Sequence, residues 1–329
     1  MTRYLVCSDI HLNLNRRFDD MVVALARVTE KVKELRVDQV LILGDVYTSR
    51  RPHPKEKEVF ERWVKELLAL PVDAVVIVKG NHDVYPDGTH TFHEFTVLEY
   101  PGVIVLDNPA TYAGMFMGHL LLREACVGAG NVQVSDAEWT IDRLLKEYPG
   151  YEVYLLGDVH KHQFLHKDPA VVYAGSIEHV DFAERNDPKG VLLVETGNSG
   201  EQTTVKFIAL EVRPMLQFDL YAPFVVEPTR TADGAIVKVI FHGTKEEITG
   251  QVKEGAVREL FAAAKELIVQ YDVSRNFAPR DKQVNEAVTP EKALELYFNK
   301  KGIPEADKTA AMTLGMEVIR QCQSSKEHL

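Results

Sequence analysis

Apolar residues come in short runs separated by stretches where they recur every three or four positions. The runs at 4–7, 40–43, 74–78, 103–106, 112–117, 153–156 and 171–173 predict buried strands. Phe18, Met21, Val22, Leu25, Val28, Val32 and Leu35 predict a helix packed on a sheet. Val59, Phe60, Trp63, Val64, Leu67 and Leu68 predict a second, with Pro54 in its first turn, where a missing N–H costs nothing. Ser135 followed by Glu138 predicts a capping box opening a helix through Trp139 and Leu145. Strands alternating with helices in this way predict an α/β layered domain.

The rhythm changes after the run at 191–195. A stretch at 203–212, strands at 215–220 and 235–241, and a helix through Val257, Leu260, Phe261, Leu267 and Ile268 predict a small α+β unit. Residues 274–288 are polar and predict a linker; Thr289-Pro290 then opens two short helices split near 302–304. The expected organisation is therefore a domain over 1–205, an α+β unit over 206–285 and a helical segment over 286–329.

With 329 residues the chain exceeds one ordinary core, and 45% hydrophobic with 26% charged residues is a globular balance rather than a disordered one. No apolar run approaches the roughly 20 residues of a membrane span, and Met-Thr-Arg-Tyr leads straight into a strand, so a cytoplasmic location is expected. Cys7, Cys126 and Cys322 lie far apart with no Cys-x-x-Cys spacing, which argues against a disulfide framework or thiolate zinc site and for packing. A net charge of -11 opposes passive DNA binding, so any nucleic-acid contact must be local. The loop from Ser49 through Arg50, Arg51 and His53 to Lys55 is a short basic patch, although such runs are usually only solvated faces.

Five polar clusters each follow an apolar run: Ser8-Asp9-Ile10-His11, Gly44-Asp45, Gly80-Asn81-His82-Asp83, Gly118-His119 and Gly157-Asp158-Val159-His160. That placement puts them on loops at the carboxyl edge of one sheet, where open α/β folds carry their sites. Asp9 with His11, and Asp158 with His160, lie two apart on what should be extended backbone, so each pair points to one side. Carboxylate, imidazole and amide donors without thiolate favour Mn²⁺, Fe²⁺ or Mg²⁺ over structural zinc. Asp45 is placed to bridge two ions about 3.5–4 Å apart, an arrangement that activates water against a phosphodiester. Singly, each cluster has an ordinary reading as a turn, a cap or a core histidine. Three polar side chains together at a strand end, as in Gly80-Asn81-His82-Asp83, have no packing use, and the five in order predict a metal site.

In this order the clusters resemble the calcineurin-type metallophosphoesterases. The run Tyr173-Ala174-Gly175-Ser176-Ile177-Glu178-His179-Val180-Asp181-Phe182, followed by Pro188-Lys189-Gly190, is similar to the SbcD-type nucleases of double-strand-break repair, the meiotic recombination eleven-like group. Gly44-Asp45-Val46-Tyr47 with Arg51-Pro52, Val212-Arg213-Pro214, and Thr289-Pro290-Glu291 through Leu314-Gly315 extend the likeness over almost the whole chain.

The resemblance implies a four-layer αββα sandwich with a small α+β capping domain and a C-terminal helical segment. It implies that Asp9, His11, Asp45 and His160 hold one Mn²⁺ (or Mg²⁺), and that Asp45, Asn81, His119 and Asp158 hold a second. His82 would protonate the leaving 3′ oxygen, and Asp83 would orient it. The implied activity is 3′ to 5′ exonuclease on duplex ends and endonuclease on single strands or hairpins. The implied partners are DNA ends, a coiled-coil ABC-type ATPase of the SbcC kind gripped by the C-terminal helices, and a second copy. Dimer contact is expected through 54–70 and 89–100, where Phe92, Phe95 and Leu98 are either exposed contacts or core.

Two departures bear on the site. Asp158 stands where the family has the first histidine of Gly-His-x-His, so it is either a harder ligand that alters metal preference or a residue that only orients a neighbour. Thr48 stands where some relatives carry a helper histidine; His162 and His166 are further along the last loop and read as surface residues. Rival expectations are a small-molecule phosphatase or nucleotidase using the same metals, and a scaffold subunit that regulates an ATPase without cutting.

Overall fold

The structure, a computed structural model, describes residues 1–97, 99–127, 132–133, 137–197, 202–224, 232–252, 254–273, and residues 289, 292, 294, 295, 308 and 312. In chain order the elements are β1 (Thr2–Cys7), α1 (Phe18–Leu35), β2 (Gln39–Leu43), α2 (Pro54–Leu68), β3 (Ala74–Val78), α3 (His93–Val97), β4 (Val103–Leu106), β5 (Ala110–Tyr112), β6 (Met115–His119), β7 (Cys126–Val127) and β8 (Val132–Gln133). They continue with α4 (Ile141–Glu147), β9 (Val153–Gly157), β10 (Gln163–Lys167), β11 (Ala170–Tyr173), β12 (Gly190–Thr196), β13 (Thr204–Ala209), β14 (Met215–Tyr221), β15 (Ile236–Gly243), α5 (Lys245–Gln251), α6 (Glu254–Leu260) and β16 (Glu266–Val273).

Two sheets dominate. One has the order β13-β12-β1-β2-β3-β4, with β1 to β4 parallel; the other has the order β10-β11-β9-β6-β5, with β11, β9 and β6 parallel. Side chains alternate across each strand, and here both faces are covered, so the strands read as unbroken apolar runs. Leu5, Cys7, Val40, Ile42, Val75 and Ile77 face α1 and α2, while Tyr4, Val6, Leu41, Leu43, Val76 and Val78 meet Met115, Met117, Val153, Leu155 and Val172 of the second sheet. The outer face of that second sheet, with Phe116, Tyr154, Leu156, Val171 and Tyr173, packs Leu144 of α4. The result is the expected four-layer αββα sandwich.

Contacts divide the chain into two compact units. The first comprises Met1–Asp219, Val226–Ile240 and Lys253–Gln270; the second comprises Leu220–Val225, Phe241–Val252 and Tyr271–Leu329. Strands β14, β15 and β16 form a three-stranded sheet in that order.

Several sequence expectations are corrected. The five clusters do not sit at the edge of one sheet: three follow β1, β2 and β3 of the first sheet, and two end β6 and β9 of the second. The run at 112–117 is a hairpin, broken by Ala113 and Gly114 at φ 49° and 77°, a turn hidden because alanine rarely adopts that conformation. Helix α4 opens at Thr140, whose Oγ1 accepts from Arg143 N at 3.2 Å, and Trp139 instead bridges Leu122; Ser135 lies outside the described residues. Leu267 and Ile268 belong to β16 rather than to a helix, in keeping with the β-propensity of Leu267-Ile268-Val269. Val22 lies off the buried stripe of α1 and is 38% exposed.

Phe92 and Phe95 are core residues, 0% and 4% exposed, and pack on Phe60, which also meets Tyr47 and Trp63. They therefore supply no exposed contact, and Leu98 lies outside the described residues. So do the predicted linker and most of the segment predicted to form two C-terminal helices, though Thr289 Oγ1 accepts from Lys292 N at 3.3 Å as a helix cap would. Phe60→Ala should leave a cavity in this ring cluster and cost about 3–5 kcal/mol. Urea unfolding followed by circular dichroism would check it, the expectation failing if the midpoint does not move.

Candidate metal centre

Three strand ends of the first sheet and two of the second deliver the site. Asp9, His11 and Asp158 do not lie on the extended backbone that the spacing of the two pairs predicts, and Asp45 departs from it as well. Asp9, His11 and Asp45 adopt left-handed conformations, with φ 51°, 50° and 50°, and Asp158 has φ 91°. Asp and His enter this region more readily than most residues, but still at a cost of order 1 kcal/mol each, which neighbouring structure must offset. It does so through backbone hydrogen bonds from Asp9 N to Gly44 O at 3.2 Å, His11 N to Asp45 O at 3.0 Å and Leu12 N to Val46 O at 2.8 Å. Space is equally constrained. A side chain at Gly80 would strike the Asp45 carboxylate, and one at Gly157 would strike Leu43 O and Ser8 Oγ.

Two groups of side chains converge. Asp9, His11 and His160 form one; Asp9, Asp45 and His119 form the other, and within each the donor atoms all lie within 4.8 Å of one another. Asp45 faces both, with Oδ2 3.7 Å from His11 Nε2 and Oδ1 3.3 Å from His119 Nε2. Asp158 joins the second group, its Oδ1 3.4 Å from His119 Nε2, while its backbone N–H donates to both Asp9 oxygens at 3.3 Å.

The hydrogen bonds reveal which lone pairs are left facing inward. His119 Nδ1 donates to Leu43 O at 2.8 Å, which leaves Nε2 as the inward atom. His160 Nδ1 is 2.7 Å from Glu184 Oε1, and its Nε2 stands 3.0 Å from His11 Nε2. The amide atom of Asn81 that points into the site is 3.0 Å from His119 Nε2 and 3.2 and 3.3 Å from the two Asp45 oxygens. An amide NH₂ suits that position in the bare cluster, whereas a bound cation calls for the oxygen. Opposed nitrogen lone pairs and clustered carboxylates are the donor set of a hard or borderline divalent ion, so the residues fit such a group.

Protonation in the ion-free protein follows from the same contacts. Burial depresses His119, but hydrogen bonds to Asp158 and Asp45 and the charge of Asp9 raise it well above the ordinary imidazole range. For His160 burial is likewise outweighed, by Glu184 and Asp9, and the pKa is raised. His11 is lowered, chiefly by burial. Burial pushes the Asp45 carboxyl up, and His119 and His11 hold it lower on balance.

His82 is the more exposed histidine, at 42% of its side chain. Its Nδ1 donates to Thr48 O at 2.8 Å, turning Nε2 to 3.9 Å from Asp45 Oδ2. The predicted orienting role of Asp83 is therefore not a contact with the imidazole. Asp83 is buried, with Oδ2 accepting from Gly80 N at 3.0 Å and Val46 N at 3.4 Å, and burial together with Asp45 raises its pKa to about 7. It pins the turn that carries Asn81 and His82. Thr48 supplies its carbonyl where some relatives have a histidine, and its hydroxyl donates to His11 O at 3.1 Å. His162 stacks on Phe207 and donates to Tyr173 O, and His166 donates to Pro169 O, so neither replaces Asp158.

Sequence reasoning missed Glu184 and Asn108, and named Ser8 and Lys189 within motifs without giving either a role. Ser8 Oγ is 2.6 Å from Asp9 Oδ2, and the Asn108 side chain pairs both ways with the His119 backbone at 2.8 and 2.9 Å. Glu184 lies two residues beyond the quoted motif run, so only its proximity in sequence could have flagged it. Arg50, in the basic loop, donates through Nε to Asn81 O at 3.1 Å, which places one cation of that patch beside the site. Cys7 is buried, with its thiol pushed up to about 12 chiefly by burial, and Cys126 is half-buried; Cys322 lies outside the described residues.

No curated protein matches the chain in sequence. Among solved structures, a Pseudomonas putida nuclease MPE is similar at 17% identity and a TM-score of 0.36, covering 58% of this chain and 83% of its own. Among the described residues no helix is long and apolar enough to cross a membrane. Residues 2–193, which hold every strand end and side chain of the centre, match the calcineurin-like phosphoesterases, and the chain belongs to that family.

Proposed function

We propose that the protein is a Mn²⁺-dependent DNA nuclease, acting as a 3′ to 5′ exonuclease on duplex ends and an endonuclease on hairpins or single strands, in a complex with an SbcC-type ABC ATPase. The carrying observation is that two donor groups converge through shared Asp9, one with His11 and His160 and one with Asp45 and His119, while Asp45 turns one oxygen to within 3.7 Å of His11 and the other to within 3.3 Å of His119. Two ions, when bound there, would supply polarisation of a phosphodiester and activation of an attacking water.

The chain's own residues do the rest. Asp9, His11, Asp45 and His160 would hold one ion, and Asp45, Asn81, His119 and Asp158 the other. His82, its ring fixed by Thr48 O and its Nε2 3.9 Å from Asp45 Oδ2, would give a proton to the departing oxygen. Support for DNA over a small phosphoester comes from the motif run at 173–182 and from Arg50 at the rim, a local cation on a chain of net charge -11. The helical segment after 286 would grip the ATPase, and dimerisation is assigned to 54–70 and 89–100 without Phe92 or Phe95.

Cleavage of a linear duplex and a hairpin, compared with release of phosphate from nucleoside monophosphates, tests the reading; activity confined to the monophosphates would sink it. His82→Ala should bind Mn²⁺ as the wild type does yet cut about 10²–10⁴-fold more slowly, which single-turnover kinetics would measure. Asp158→His should keep or raise activity in Mn²⁺, so a dead variant that still binds two ions would refute its place as a replaceable ligand. Because His119 and His160 carry raised pKa values in the ion-free protein, ion binding must expel their protons. Affinity should therefore rise from pH 5 to 8, with proton release visible as a buffer-dependent calorimetric enthalpy.

A further inference from the structure

We propose that Glu184 and Lys189 form a positioning couple that holds His160 as a ligand, so that filling the His11–His160 side of the centre depends on a buried ion pair that touches no ion. The inference rests on the metal-centre reading above. Lys189 has no side-chain exposure and Glu184 only 8%. The ammonium spends its three donors on Glu184 Oε2 at 2.7 Å, Ser176 Oγ at 2.9 Å and His160 O at 3.0 Å. The other Glu184 oxygen accepts from His160 Nδ1 at 2.7 Å, and Oε2 also accepts from Val180 N at 3.0 Å. His160 is thus gripped twice by one ion pair, through its ring by the carboxylate and through its backbone by the lysine.

Topology gives the grip its purpose. Lys189 precedes β12 in the first sheet, His160 follows β9 in the second, and Ser176, following β11, bridges Ser8. The couple therefore ties the site-bearing ends of the two sheets together at the point where His160 Nε2 meets His11 Nε2. Packed apolar side chains would stabilise the fold at least as well as a buried pair, so stability alone does not account for it. An imidazole whose outer nitrogen donates to a carboxylate has its inner lone pair aimed and its basicity raised.

The test is calorimetric titration of the metal-free protein with Mn²⁺ alone, with folding checked by circular dichroism. The paired replacement Glu184→Leu with Lys189→Met removes both charges at once, leaving no unpaired ion. It is expected to weaken one of two binding steps about 10–100-fold and leave the other unchanged. Should that variant not fold, Glu184→Gln alone decides. Its single amide oxygen can serve either His160 or Lys189 but not both, so one step should still weaken. Two unaltered steps in the folded variant would overturn the couple while leaving the metal-centre reading intact. A wild type that binds no Mn²⁺ would overturn that reading itself.

Discussion

Everything at the centre depends on the face-to-face packing of two sheets. Leu41, Leu43, Val76 and Val78 from one and Met115, Met117, Leu155 and Val172 from the other exclude water between them. That contact sets how far apart the strand ends emerge, and neither sheet alone carries a full donor set. His11 comes from the first and His160 from the second, and their ring nitrogens stand 3.0 Å apart. The hydrophobic contact is non-directional, so the directional accuracy comes from hydrogen bonds laid over it, such as His119 Nδ1 to Leu43 O across the two sheets.

Collecting Asp9, Asp45, Asp158 and Glu184 in one region is electrostatically unfavourable unless something cationic joins them. The chain answers in two ways. At the periphery, against the effect of its burial, the hydrogen bond with His160 and then the charge of buried Lys189 pull Glu184 down to about 2. At the middle, histidines carry protons that a divalent ion would replace.

Much of this was legible in the residues. Strand runs and the α1 and α2 stripes are local patterns, and they placed the five clusters at strand ends. What the sequence concealed was long-range. Alternation cannot say that 115–119 and 153–157 belong to a different sheet from 39–43, because both kinds of strand are covered on both faces and look alike. Ala113 hid a turn, and Leu267 and Ile268 looked helical because they fall seven residues, about two helical turns, after Leu260 and Phe261. The family resemblance assigned Asp83 to orient His82, yet its carboxylate turns back to Gly80 N and Val46 N. Glu184 and Lys189 carry no spacing signal, since their relation to His160 exists only once β9, β11 and β12 are assembled.

The left-handed backbone at Asp9, His11, Asp45 and Asp158 has a bearing on how such a protein drifts over time. A position with φ near 50° or 90° penalises branched and bulky side chains, and it best admits glycine, asparagine, aspartate and histidine. Apart from glycine, those are themselves donors to cations. Chain geometry thus filters the mutations that can persist there to a short alphabet of ligating residues, so that exchange of an aspartate for a histidine becomes an accessible step rather than a loss.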